Sequence, residues 1–100
     1  LLPTVMRFNA PAALDKYVDI AKALDVYTPG MTKEEAADAA CTEIENLSRR
    51  VGIPAHLSDL GITEADIDAL ADQAIADVCT PGNPREVTRD DIVALYKSIL

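Results

Sequence analysis

Apolar residues recur along this chain at intervals of three and four, the period of a helix with one core-facing side. The first series is Leu14, Tyr17/Val18, Ala21 and Leu24, and the second is Ala36, Ala40, Ile44, Leu47 and Val51. The third is Ile67, Leu70/Ala71, Ala74/Ile75 and Val78, and the fourth is Ile92, Leu95/Tyr96 and Ile99. No segment alternates with period two for long enough to make a strand. The pattern predicts an all-α fold, a bundle of about four main helices over residues 11–25, 33–51, 64–79 and 89–99.

The starts and stops agree with it. Thr32, Thr63 and Thr88 each precede a helical series, with Glu35, Asp66 and Asp91 three residues on. A threonine hydroxyl accepts one of the orphan N–H groups of a first turn, and the acid reaches back to the cap and meets the positive end of the helix. Glu35 makes a full capping box; the two aspartates are expected to make weaker ones. Gly52 and Pro54 end the second helix, "VYTPGM" separates the first two, and "CTPGNPR" separates the last two. Residues 1–8 hold a dense apolar patch of Leu1, Leu2, Val5, Met6 and Phe8, and are expected to be helical or disordered. Pro3 fits a helix only near its first turn.

Composition narrows the core. Aromatic residues are 4% of the 100 and tryptophan is absent, so the interior is aliphatic and helices approach through small residues. The net charge of −8 argues against nucleic acid and an anionic membrane surface as partners, since both demand a basic face. No apolar run approaches the roughly 18 residues of a membrane span. Cys41 and Cys79 form no CxxC pair and are expected to be free thiols in a reducing, cytoplasmic setting.

Little chemistry is visible. His56 is the one histidine and is expected to be structural, packed in its turn and hydrogen-bonded nearby. Glu34, Glu35, Glu43 and Glu45 read as a solvated face. No Gly-rich phosphate loop occurs, and no serine or cysteine nucleophile has a neighbouring histidine. The stretch "DVCTPGNPREVTRDDIVALY" stands apart: Cys79 sits at a helix end entering a turn of special backbone geometry. Such a turn is either part of a site or a rigid connector carrying a small buried thiol.

"LLPTVMRFNAPAALDKYVDIAKALDV", "MTKEEAADAACTEIENLSR" and "GIPAHLSDLGITEADIDALADQAIADVCTPGNPREVTRDDIVALYKSIL" resemble, end to end, the C-terminal portion of the iron-containing (group III) alcohol dehydrogenases. The ending Asn83-Pro-Arg, Thr88, Asp91-Ile and Leu95-Tyr is the most specific part, and the pattern is most similar to the lactaldehyde reductase and 1,3-propanediol dehydrogenase branches. The resemblance implies a distal fragment of a dehydroquinate synthase-like helical domain. In the parent, an N-terminal domain binds NAD(P) and four ligands, one Asp and three His, hold Fe²⁺ or another divalent metal. The last ligand lies just before the "LLP" of this chain, so neither catalytic, cofactor nor metal residues are expected within residues 1–100. Thr4 stands where the family commonly has a histidine that is not a ligand. The implied parent reaction is reversible hydride transfer between a nicotinamide and a short primary alcohol or aldehyde, with the metal as Lewis acid. Its implied partners are the missing nucleotide-binding domain, the metal-site helices and further copies of itself. Cys79 is the one expected pocket residue. The contrasting reading is a free-standing acidic helical module that binds a protein through its apolar start.

Overall fold

A computed structural model describes all 100 residues. It is all-α, with five helices and no strand: α1 Leu2–Asn9, α2 Leu14–Ala23, α3 Lys33–Arg50, α4 Ile67–Ala76 and α5 Arg89–Ser98. Residues 2–53 form one compact unit and residues 54–100 a second.

In the first unit, residues 1–8 fall largely within α1. The expected helix over 11–25 starts later, because Pro11 lies in a 3₁₀ turn, Ala10–Ala12, that leads into α2. It also stops earlier. Asp25 takes φ 59°, and the N–H groups of Asp25 and Val26 donate to the carbonyls of Lys22 and Ala21 at 3.1 and 3.0 Å. This is a Schellman closure, made with an aspartate where glycine is usual. Its counterpart closes α3: Gly52 at φ 80° donates to Arg49, and Ile53 to Ser48 at 2.9 Å. At the other end of α3 the capping box of Thr32 and Glu35 is complete in both directions.

The seam between α2 and α3 is made of alanine. Ala21, Ala36 and Ala40 have no exposed surface, and Val18, Val26 and Tyr27 pack around them. Small side chains let the two backbones approach closely. A second cluster joins Tyr17, Ala37 and Cys41, with Met6, Ala10 and Leu14 against it. The apolar series of α3 runs beyond this core: Leu47 is 41% and Val51 64% exposed.

In the second unit, Ile67, Ala71, Leu57 and Ile92 are the buried apolar residues. Burial of a side chain the size of Ile67 is worth about 1.5–3 kcal/mol. The Leu57 N–H donates to the Ile99 carbonyl at 2.8 Å and the Ser58 hydroxyl to that of Leu100 at 2.8 Å, tying residues 57–58 to the end of the chain. The helix expected over 64–79 is shorter at both ends. Glu64–Asp66 is a 3₁₀ turn, with the Asp66 carboxylate accepting from the Thr63 N–H and hydroxyl. At the far end Asp77 leaves helical geometry (ψ 134°), and its carboxylate accepts from the Cys79 N–H at 2.7 Å. An aspartate that folds onto its own backbone offers an alternative to the helical ladder, and α4 ends there. Val78, assigned by periodicity to the core stripe, is therefore 91% exposed, and Ile75 is 37% exposed.

Thr88 and Asp91 form a box on α5 with both bonds present: the Asp91 N–H donates to the Thr88 Oγ1 at 3.2 Å, and the Thr88 N–H to the Asp91 Oδ2 at 2.9 Å. These bonds, the backbone N–H first, hold the Asp91 carboxyl below its ordinary value. Because the folded value is the depressed one, its contribution is complete above the ordinary aspartate range. It is lost as pH falls through that range and below. Melting curves at falling pH should show the second unit losing stability below about pH 4, and Asp91→Asn should flatten that part of the dependence.

Candidate functional site

Cys79 lies three residues beyond the end of α4, not at the helix terminus expected of it. Its thiol is free and exposed, not buried as the connector reading had it. The turn around it is nevertheless well fixed. The Asp77 carboxylate holds the Cys79 N–H, and the Thr80 hydroxyl donates to the Ala74 carbonyl. Pro81 and Gly82 complete a 3₁₀ turn over Thr80–Gly82, and the Asn83 side-chain amide donates to the Arg85 carbonyl at 2.6 Å. The thiol thus stands on the outer surface of a locally braced turn.

His56 is also exposed, which corrects the expectation that it packs into its turn. Its backbone carbonyl accepts from the Asp59 N–H at 3.2 Å, and this backbone bond is what shapes the turn. Cys41, in contrast, is buried between α2 and α3. Desolvation pushes its thiol up from the ordinary value, with the Arg7 charge opposing, so at neutral pH it is a thiol and not a nucleophilic thiolate.

The most organised polar cluster is one that periodicity did not reveal. Arg7 of α1 spans a row of acceptors on α3. Its Nε donates to the Glu45 Oε1 at 2.8 Å, Nη1 to the Asp38 Oδ1 at 2.8 Å and Nη2 to the Thr42 Oγ1 at 3.2 Å. Hydrogen bonds to Glu45 and Asp38 push the guanidinium further above its already high value, so it is permanently charged. The signal in the sequence is the spacing 38, 42, 45, one polar row on a helix, but nothing local says which cation it meets. The glutamates read as a solvated face therefore differ in role. Glu35 caps α3, Glu45 holds Arg7, and Glu43 accepts from Arg50 at 2.9 Å. Beside the cluster, Arg7, Pro11, Leu14, Glu34, Ala37 and Cys41 line most of an open groove of about 340 Å³.

The residues present do not suit a divalent metal. Such ions want several converging imidazole, thiolate or carboxylate donors. The chain has one histidine, and no group of three or more His, Cys, Asp and Glu side chains converges. No helix is long and apolar enough to cross a membrane.

Comparison with known proteins supplies what the geometry leaves open. The family model for the C-terminal part of the Fe-containing alcohol dehydrogenases matches residues 1–100. Lactaldehyde reductase of Escherichia coli (strain K12) is 54% identical over 96 residues, 96% of this chain and 25% of that protein. The 1,3-propanediol dehydrogenase of Klebsiella pneumoniae is 38% identical over 97 residues, again 25% of its length. Among solved structures, a 1,3-propanediol oxidoreductase superposes with a TM-score of 0.94 at 35% identity, over 99% of this chain and 26% of the other. The chain spans about a quarter of the length of these relatives. With the match running through every residue, the chain belongs to the iron-containing alcohol dehydrogenase family, as a C-terminal segment of that fold.

Proposed function

We propose that this segment is the distal helical scaffold of a metal-dependent, NAD(P)-linked alcohol dehydrogenase or aldehyde reductase acting on short primary alcohols or diols such as 1,2- or 1,3-propanediol, and on lactaldehyde. The observation that carries this reading is the 54% identity to a lactaldehyde reductase, sustained over 96 residues. In this reading the metal and the nicotinamide are held by the remainder of the parent, with Fe²⁺ as the ion of the family. The parent is a cytoplasmic homo-oligomer. The part played by residues 1–100 is structural, with one exception. The exposed thiol of Cys79, on its braced turn, forms part of the substrate pocket wall once the preceding domain is in place.

The test compares two proteins. The full-length parent, loaded with Fe²⁺, should oxidise 1,2-propanediol with NAD⁺ and reduce lactaldehyde with NADH. The 100-residue chain alone should do neither, and calorimetry should find no stoichiometric submicromolar Fe²⁺ site on it. A loaded parent without turnover on any short alcohol would refute the reading. Tight stoichiometric metal binding by the chain alone would refute the assignment of all ligands to the remainder. The free-standing module reading makes the opposite demand: the chain alone would capture a protein partner through exposed apolar residues such as Leu2, which is 60% exposed.

A further inference from the structure

Helix α1 is weakly specified by apolar packing. Its one buried residue is Asn9, and Leu2 at its start is exposed, while Val5, Met6 and Phe8 are half-buried. Half-buried aliphatic groups tolerate a helix rolling or sliding by a few ångströms, since hydrophobic contact is non-directional. Polar contacts do not. Arg7 commits all three of its nitrogens, each to a different acceptor, and the acceptors lie at 38, 42 and 45 along one row of α3. Seven residues of helix are about 10 Å, so the fork grips α3 over roughly two turns. Sliding α1 by one turn, about 5.4 Å, or rolling it by one residue would break the set together. A second fixed point lies near the first: the Tyr17 hydroxyl of α2 donates to the Met6 carbonyl at 2.8 Å. The planar guanidinium is suited to this task and an ammonium is not, because only the former presents donors in a rigid fork.

We propose that Arg7 is a positioning residue of the parent enzyme, whose three-point grip on Asp38, Thr42 and Glu45 fixes the roll and axial register of α1 and thereby the direction in which the chain enters this segment. The inference rests on the dehydrogenase reading above. The segment matches the C-terminal part of its family and a quarter of its relatives' length, so α1 is where the remainder of such a parent is joined. An error in the register of α1 is transmitted to whatever precedes it. With its three nitrogens committed to α3, the effect of Arg7 is expected on the turnover step, not on substrate binding.

The experiment uses the full-length enzyme at equal metal occupancy, with Arg7→Lys, Arg7→Ala and Glu45→Gln. Each is assayed for kcat and KM, and amide exchange is followed in α1 and α3. Lysine keeps the charge but cannot meet three acceptors, so Arg7→Lys should behave like Arg7→Ala. For both, kcat should fall by about ten- to a hundredfold with KM within about twofold, the scale on which remote misplacement acts. Amide exchange should quicken in α1 and stay unchanged in α3. Glu45→Gln, which retains an acceptor oxygen for Nε, should keep kcat within about threefold of the parent. Wild-type kcat in Arg7→Lys would overturn the proposal, because charge alone would then suffice. Unchanged α1 exchange in Arg7→Ala would overturn it as well. An inactive wild-type enzyme whose Arg7 variants do quicken α1 exchange would refute the dehydrogenase reading and leave a grip without a catalytic role.

Discussion

Replacing Ala40 by leucine should cost the first unit about 2–3 kcal/mol, the upper range for overfilling a packed core. Ala40 has no exposed surface, and neither do Ala21 and Ala36 beside it. The α2–α3 approach is set by these methyl groups, so three added carbons have no void to enter. They must push the helices apart or take a strained rotamer, and either route also loosens Val18 and Tyr27 around the seam. Separation has a further cost, because Tyr17, Ala37 and Cys41 lie in the neighbouring cluster of the same helices. Urea denaturation of the 100-residue chain, followed by far-ultraviolet circular dichroism, gives the measurement. With a slope of about 1–1.5 kcal/mol per molar for a chain of this size, the midpoint should fall by about 2 M. Ala23→Leu, at an exposed position of α2, is the control and should stay within about 0.5 kcal/mol of the parent. Equal shifts in the two variants would show that the alanine seam does not set the helix distance.

The alanine seam shows what a sequence makes legible. A chain with few aromatics and helical spacing of small residues has few ways to build an interior, and Ala21, Ala36, Ala40, Ile67, Ala71 and Ile92 lie where the period places them. The three threonine starts are equally local, each written in four consecutive residues. The stops were harder to read. α4 ends at Ala76 because the Asp77 carboxylate turns back onto the Cys79 N–H, and α2 ends at Ala23 because Asp25 accepts a left-handed conformation. Both are choices among conformations of one polar residue, invisible to a hydrophobic period. The same period also overextended the core to Val78 and Val51, since it reports which face is apolar and not what covers it. The Arg7 cluster joins residues 31 to 38 positions apart, and no local pattern encodes such a pairing. His56 reads as packed into its turn but is exposed, because a lone histidine in a turn gives no sign of which way it points.

Cys79 carries the largest expected effect on specificity. If its thiol forms part of a pocket wall in the parent, its contribution is volume. Hydride transfer between an alcohol and a nicotinamide needs no covalent nucleophile, and a free thiol exposed on a turn is available for contact without being required for chemistry. Cys79→Ala in the full-length enzyme should therefore leave turnover nearly intact and admit longer alcohols, whereas Cys79→Leu should crowd the site. One methylene in a hydrophobic pocket is worth about 1–3 kcal/mol of discrimination, so the ratio of kcat/KM for a short and a longer primary alcohol should move tens-fold across the three proteins. Local structure should survive both changes. The turn is braced by backbone and polar contacts from Asp77, Thr80 and Asn83, none of which uses the sulfur. Metal content measured alongside separates pocket shape from loss of the ion. Abolished turnover in Cys79→Ala at full metal occupancy would assign the thiol a chemical role beyond volume. An unchanged substrate ratio in both variants would place Cys79 outside the pocket, leaving the turn as a connector whose exposed thiol meets only solvent.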